Sequence, residues 1–239
     1  MTARPARWLV WLGAIVAMAG TARLGLWQLD RAAQKTALRA AWTARAQLPA
    51  LPAAELARDA AAAQSQEHRR IAVQGHWVRE HTLFLDNRIR DGVAGFVVVT
   101  PLVIGNGDAV LVQRGWVPRD PNDRTHLPAV ASPDGTVTID ARIAPWPSAR
   151  LALSSVEEGP IRQNLDRAQL AREAKVALRP LSLLQLSDSG DAMRRDWPEP
   201  PTDVAKHQGY ALQWFAMSAL IAGLALWHGF IRPRRGQRD

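Results

Sequence analysis

The chain has 239 residues, with 30 Lys and Arg against 22 Asp and Glu, and no cysteine. The missing cysteine excludes a disulfide-held fold, a thiolate nucleophile, a Cys-x-x-Cys copper or redox site and covalent c-type haem attachment. The formal charge of +8 does not point to nucleic acid: seven arginines lie outside residues 30–206, and that section, with 23 basic and 21 acidic residues, is only +2 and has no basic stripe interleaved with aromatics.

Residues 8–29 are apolar and interrupted only by Arg23, which can snorkel from near a helix end. They are read as a first transmembrane helix, after a short N-terminus of residues 1–7. The alternative is a cleaved secretory signal, because Arg4 and Arg7 precede an apolar run and the small-residue triplet Ala17-Met18-Ala19. Apolar residues resume at Leu24, Gly25, Leu26 and Trp27, which a cleaved signal does not need.

Residues 30–47 are Ala-rich without Gly or Pro, so the first helix is expected to continue into the aqueous phase until Pro49 and Pro52 break it. A short helix is expected over residues 53–64. From Arg70 the period changes to two: Ile71, Val73, Gly75 and Trp77 alternate with Ala72, Gln74 and His76, as in a strand with one buried face. Further strands are expected at 82–89, 96–104, 109–117, 136–144, 161–165 and 176–186, with a short helix after Asp166. Asp91-Gly92 and Gly105-Asn106-Gly107-Asp108 are hairpin turns. Pro101 predicts an edge or a bulge in its strand. The fold class is therefore α+β: two transmembrane helices flank a mainly antiparallel, barrel-like β domain with short helices, spanning residues 30–206.

The second transmembrane helix is expected at residues 207–231, where no charged residue occurs. At ~1.5 Å per residue, that length exceeds a ~30 Å hydrocarbon core. A basic tail of residues 232–239 follows, with Arg232, Arg234, Arg235 and Arg238. Together with Arg4 and Arg7 it places both chain ends on the cytoplasmic side. Arg31, Lys35 and Arg39 oppose this bias, but a long intervening loop translocates largely regardless of its charge. The central section is thus expected on the outer face of a bacterial-type inner membrane, or in the equivalent mitochondrial space. Anionic membrane lipid is the natural partner of the flanking arginines.

Little catalytic machinery stands out. Gly105-Asn106-Gly107-Asp108 starts like a phosphate cradle, but Val110 replaces the last glycine and a strand follows. His76 and His81 lack a metal-ligand spacing, and Ser154 and Ser155 lack the G-x-S-x-G elbow. His207 differs. It opens the second apolar stretch, and Tyr210, Trp214 and Met217 follow at helical spacing. Neutral imidazole is a good axial ligand for haem iron, and aromatic side chains suit the macrocycle. An interfacial aromatic belt with an anchoring histidine is the other reading. On the first helix, Gln28, Arg31 and Lys35 form a stripe able to hold carboxylates such as haem propionates, or lipid headgroups. Small residues four apart, Gly13 with Ala17 and Ala219 with Gly223, permit close packing of the two helices.

The segments LGLWQLDRAAQK (24–35), GHWV (75–78), LDNR (85–88), TPL (100–102), LVQRGWVP (111–118) and HQGYALQWF (207–215) together resemble the surfeit locus protein 1 family, the membrane-anchored assembly factors of cytochrome c oxidase. The resemblance runs over most of the chain in the same order. It implies a non-enzymatic role in maturing oxidase subunit I, with haem a bound in passing and His207 as the iron ligand. It also places Arg114, Gly115 and Trp116 on the family's arginine-glycine-tryptophan element, structural or partner-facing. Gln113 stands where many members have asparagine, and residues 38–66 and 119–134 match poorly. Copper handling is disfavoured by the absence of cysteine and by only four scattered methionines.

Three functions follow as expectations. The first is a haem a acceptor in which His207 binds iron, Tyr210 and Trp214 support the ring, and Gln28, Arg31 and Lys35 face the propionates. The second is a cofactor-free scaffold that holds nascent subunit I, contacting it through Arg114 and Trp116, with other assembly factors as further partners. The third, a membrane-tethered enzyme, has no residue nominated for it.

Overall fold

The computed structural model describes residues 7–105, 107–123, 125–147, 158–199 and 203–228. Ser154, Ser155, Arg4 and the arginines of the C-terminal tail lie outside these residues. The chain divides into two compact units, one formed by residues up to Trp42 with those from Glu199 onward, the other by Thr43–Pro198.

The first unit is built from helix α1 (Arg7–Ala46), whose last turn belongs to the second unit, and helix α4 (Val204–Leu226). Both are long and apolar enough to cross a membrane, and few residues of either apolar stretch are fully buried within the protein. As the composition of residues 30–47 predicts, α1 continues well past its apolar stretch and stops just before the prolines.

The second unit is a closed barrel of five strands with a two-strand extension. Strand β1 (Arg70–Trp77) pairs antiparallel with β5 (Val137–Pro145), and β5 antiparallel with β7 (Ala177–Gln185). Strand β7 runs parallel to β4 (Asp108–Pro118), which pairs antiparallel with β3 (Gly95–Gly105). Closure comes from β3 returning to β1 through His76↔Val103 and Trp77↔Leu102. The other half of β3 pairs with β2 (Leu83–Leu85), which takes the two-residue β6 (Ile161–Arg162) in parallel.

Alternation decides what fills the barrel. Ile71 and Val73, Val110 and Val112, Ile139 and Ala141, and Leu181 and Leu183 point into one buried cluster. Residues of opposite parity, such as Ala109, Leu111 and Leu178, join a second cluster with Leu170. Leu170 belongs to helix α3 (Arg167–Ala174), whose start is capped by Asp166 accepting from the Gln169 amide at 2.6 Å. Helix α2 (Ala60–Gln66) is capped in the same way by Asp59. At roughly 1.5–3 kcal/mol per fully buried aliphatic side chain, these clusters hold the unit without disulfides.

Several elements differ from expectation. The strand expected at 82–89 ends at Leu85, because Asn87 adopts a left-handed conformation (φ 58°) and the chain turns. The strand expected at 161–165 retains only two residues. Pro101 sits where β3 changes partner from β2 to β1, between Val99 and Leu102, a local edge at which its missing N–H interrupts no ladder, and the strand also carries bulges against β4 at Val98/Val99 and Val103/Gly105. Both turns are hairpins as expected, with Gly105 opposite Asp108 and Arg90 opposite Val93.

Candidate functional site

Inside the helical unit, a row of partly or fully buried positions along α1 is spaced alternately by three and four: Trp11, Ala14, Met18, Thr21, Gly25, Gln28, Ala32 and Lys35, with the half-buried Ala22 beside it. Helix α4 repeats the pattern at Val204, His207, Ala211, Trp214, Ser218, Ile221 and Ala225, with the half-buried Phe215 and Ala222 beside that row. This 3-4 alternation is the seam of two helices packed side by side, and the cross-contacts run antiparallel. Ser218 Oγ donates to the Met18 carbonyl oxygen at 3.1 Å, and Lys35 pairs with Asp203 at 3.7 Å. Beyond that, Arg39 pairs with Glu199 at 3.6 Å.

The close approach falls at Gly25. A Cβ there would stand 2.7 Å from the Phe215 ring, whereas a Cβ on Gly13 or Gly223 would meet nothing within 4 Å. The small pairs Gly13/Ala17 and Ala219/Gly223 therefore do not form the interface. All four face outward, off the 3-4 seam.

His207 and Gln28 meet at the outer end of this seam, with His207 Nδ1 2.7 Å from Gln28 Oε1. An amide oxygen only accepts, so in this contact Nδ1 is the donor, and in the neutral ring that tautomer leaves the lone pair on Nε2. Among the described residues Nε2 has no partner. Trp214 lies on the same seam two turns further on, while Tyr210 and Met217 are 43% and 45% exposed. The expected single aromatic face is thus split between seam and flank. The stripe on α1 is divided as well. Gln28 engages His207 and Lys35 engages Asp203, while Arg31 is exposed, donates to Gln34 at 2.9 Å and forms no ion pair among the described residues. The acidic partners Asp203 and Glu199 escaped the sequence reading, although their place just ahead of an apolar helix is visible there.

Arg114 and Trp116 belong to the barrel unit, and both are buried, at 1% and 3% exposure. A partner reaches neither side chain directly. Arg114 is the extra residue of a β-bulge, since Val98 pairs with Gly115 and Val99 with Gln113. Its guanidinium stacks on Trp77 at 4.5 Å and donates to Ser132 Oγ and the Ala131 carbonyl, each at 2.6 Å. Burial pulls its pKa below the usual arginine value, opposed by the charge of Asp191. Trp116 donates its indole N–H to the Arg88 carbonyl, which joins two of the resembling segments, LDNR and QRGW. His76 touches Thr136 Oγ1 at 3.3 Å, and His81 lies half-buried beside Glu80 and Glu173.

Comparison with known proteins matches the SURF1 (surfeit locus protein 1) family model over residues 15–219. The chain belongs to the SURF1 family. Among similar proteins, the cytochrome oxidase assembly protein SHY1 of Saccharomyces cerevisiae is 28% identical over 95 residues, 39% of this chain and 24% of that protein. An uncharacterized SURF1-like protein of Mycobacterium bovis is 28% identical over 188 residues, 74% of this chain and 66% of the other. A SURF1-like protein of Rickettsia felis is 25% identical over 216 residues, covering 82% and 85%. The match thus spans a quarter of the yeast protein and about two thirds of the mycobacterial one. The family match takes in α1 from residue 15, the whole barrel and α4 up to residue 219, so the Gln28–His207 pair lies inside it. Two apolar helices in a SURF1 protein mark it as membrane-associated.

Proposed function

We propose that this SURF1 protein is an assembly factor of cytochrome c oxidase that accepts haem a at His207 and assists its insertion into subunit I. The oxidase role is carried over from the printed role of the yeast relative and from family membership. The haem role rests on one observation, the Gln28–His207 hydrogen bond, which leaves an unpartnered imidazole lone pair at the end of two apolar helices.

The surrounding residues fit a haem. Arg31 has no acidic partner among the described residues, so it is available to a propionate. Lys35 is available only in exchange for Asp203, a partly exposed pair at 3.7 Å and therefore a weak one. Tyr210, Trp214 and the exposed Trp27 offer aromatic surface near the same end of the helices. One protein ligand with a few peripheral contacts suits a carrier, which has to release what it binds.

In this reading α1 and α4 cross the membrane, the arginine-rich ends stay inside, and the barrel unit lies on the outer face of the inner membrane. Lipid covers the outward apolar faces, and other assembly factors can join through the barrel surface.

The test is the haem a content of subunit I isolated from cells carrying His207→Ala. We expect less haem a per subunit I, with the SURF1 protein itself at its normal level. Unchanged content would leave the scaffold reading, in which nascent subunit I is held without cofactor.

A further inference from the structure

We propose that Gln28 is a positioning residue: it holds His207 in the Nδ1–H tautomer and thereby makes Nε2 the iron-binding atom. The inference deepens the haem reading and rests on it for the identity of the ligand.

The ring's own tautomer preference has to be reversed. A solvated neutral histidine side chain favours the proton on Nε2, which leaves its lone pair on Nδ1, next to its own backbone. A ring in that state presents the wrong nitrogen to a bulky planar ligand. Gln28 opposes it by placing an acceptor-only oxygen 2.7 Å from Nδ1, a full-strength hydrogen-bond distance. The seam supports the contact. Gln28 is half-buried on α1, and the next inward positions toward either end are Gly25, which makes room for the Phe215 ring, and the buried Ala32. The Ser218–Met18 hydrogen bond fixes the helices' register further along, and the weaker Lys35–Asp203 pair lies on the far side of His207. The glutamine amide thus meets a ring whose height on α4 is already set.

Chemistry also favours an amide over a carboxylate here. Outer-shell partners orient a ligating histidine and set its basicity. A carboxylate on Nδ1–H pushes the ring toward imidazolate and strengthens its hold on iron, whereas a neutral amide orients the ring with little added basicity. That combination serves capture followed by release.

The experiment uses the full chain in detergent with 15N-labelled histidine and no haem. Imidazole 15N shifts report which nitrogen carries the proton, and His207→Asn assigns the signals among the six histidines. In the parent protein at a pH where the ring is neutral, we expect His207 as the Nδ1–H form. Gln28→Leu should return it to a mainly Nε2–H form, and Gln28→Glu should restore Nδ1–H, a rescue that a merely structural role would not produce. Nε2–H in the parent protein, or an unchanged pattern in Gln28→Leu, overturns the proposal. Haem titration of the same proteins then separates the two claims. A 10- to 100-fold weaker affinity in Gln28→Leu supports the positioning role. Haem lost in His207→Ala but bound equally by Gln28→Leu keeps the haem reading and overturns the positioning. Equal haem in His207→Ala and parent overturns His207 as ligand, and with it Nε2 as the iron-binding atom.

Discussion

The indole N–H of Trp116 donates to the backbone carbonyl oxygen of Arg88 at 2.6 Å, bracing strand β4 against the turn that follows β2. Gly95 makes room for that ring: a Cβ there would stand 2.4 Å from the indole and 2.3 Å from the Val117 carbonyl. The Arg194 guanidinium lies 5.5 Å from the ring centroid and is itself paired with Asp91 and Asp196. Segments far apart in the chain therefore converge on one side chain.

Trp116→Phe keeps most of the packing and removes the hydrogen bond, leaving a part-buried carbonyl without this donor. We expect a loss of about 1–3 kcal/mol in chemical denaturation of the detergent-solubilised protein. Gly95→Ala should cost at least as much, on the order of 2–3 kcal/mol, because neither the indole nor the carbonyl can yield cheaply.

Arg114 has three buried contacts and no ion pair among the described residues, so its value lies in fork geometry and stacking. Arg114→Ala should destabilise by about 3 kcal/mol through the cavity and two abandoned acceptors. Arg114→Met, which fills the volume without a buried charge, should cost less than half of that. Because both Arg114 and Trp116 are buried, any loss of oxidase assembly in their variants should track the amount of folded protein on immunoblots.

Asp108 accepts two hydrogen bonds from Arg179, which also donates to the Leu56 carbonyl, with Arg58 at 3.4 Å. The Arg179 hydrogen bond, then its charge and that of Arg58, outweigh desolvation and hold the carboxyl below its usual pKa. A depressed folded-state pKa contributes stability that is present above the unfolded value, near pH ~4, and is lost as pH falls through the folded value. The stability difference between parent and Asp108→Asn should therefore be flat from pH ~7 to ~5 and shrink below ~4, as read from denaturation midpoints across pH.

The cysteine-free background allows a direct check on the helix seam. Met18→Cys with Ser218→Cys should form a disulfide on mild oxidation, since Ser218 Oγ touches the Met18 carbonyl. Gly13→Cys with Gly223→Cys, off the seam, should not. The reverse result on gels would discard the seam.

Much of this architecture is legible in the chain. The two apolar stretches, the alternation from Ile71 to Trp77 and both hairpin turns are local signals, and local signals survive folding. What was not legible depends on partners distant in sequence. Helix α4 is apolar on most sides, so counting from His207 groups Tyr210 and Met217 with Trp214, and only the facing helix reveals that the seam runs through Ala211 and Ser218. For the same reason Gly13 and Ala17 look like an interface, while Gly25 is the residue pressed against Phe215. Arg114 is read as structural or partner-facing from the resemblance alone, and only the fold shows it buried against Trp77, at a bulge that pairing with β3 creates.

The central claim is that His207, held by Gln28 at the end of the helix seam, ligates haem a. The most direct measurement is the absorption spectrum and haem a stoichiometry of the full-length protein purified from cells that make haem a, with His207→Ala prepared in parallel. We predict a histidine-ligated haem a spectrum in the parent protein, and its loss in the variant while the Met18→Cys/Ser218→Cys cross-link still forms in the His207→Ala background. Equal haem a in both proteins, or none in either, would contradict it.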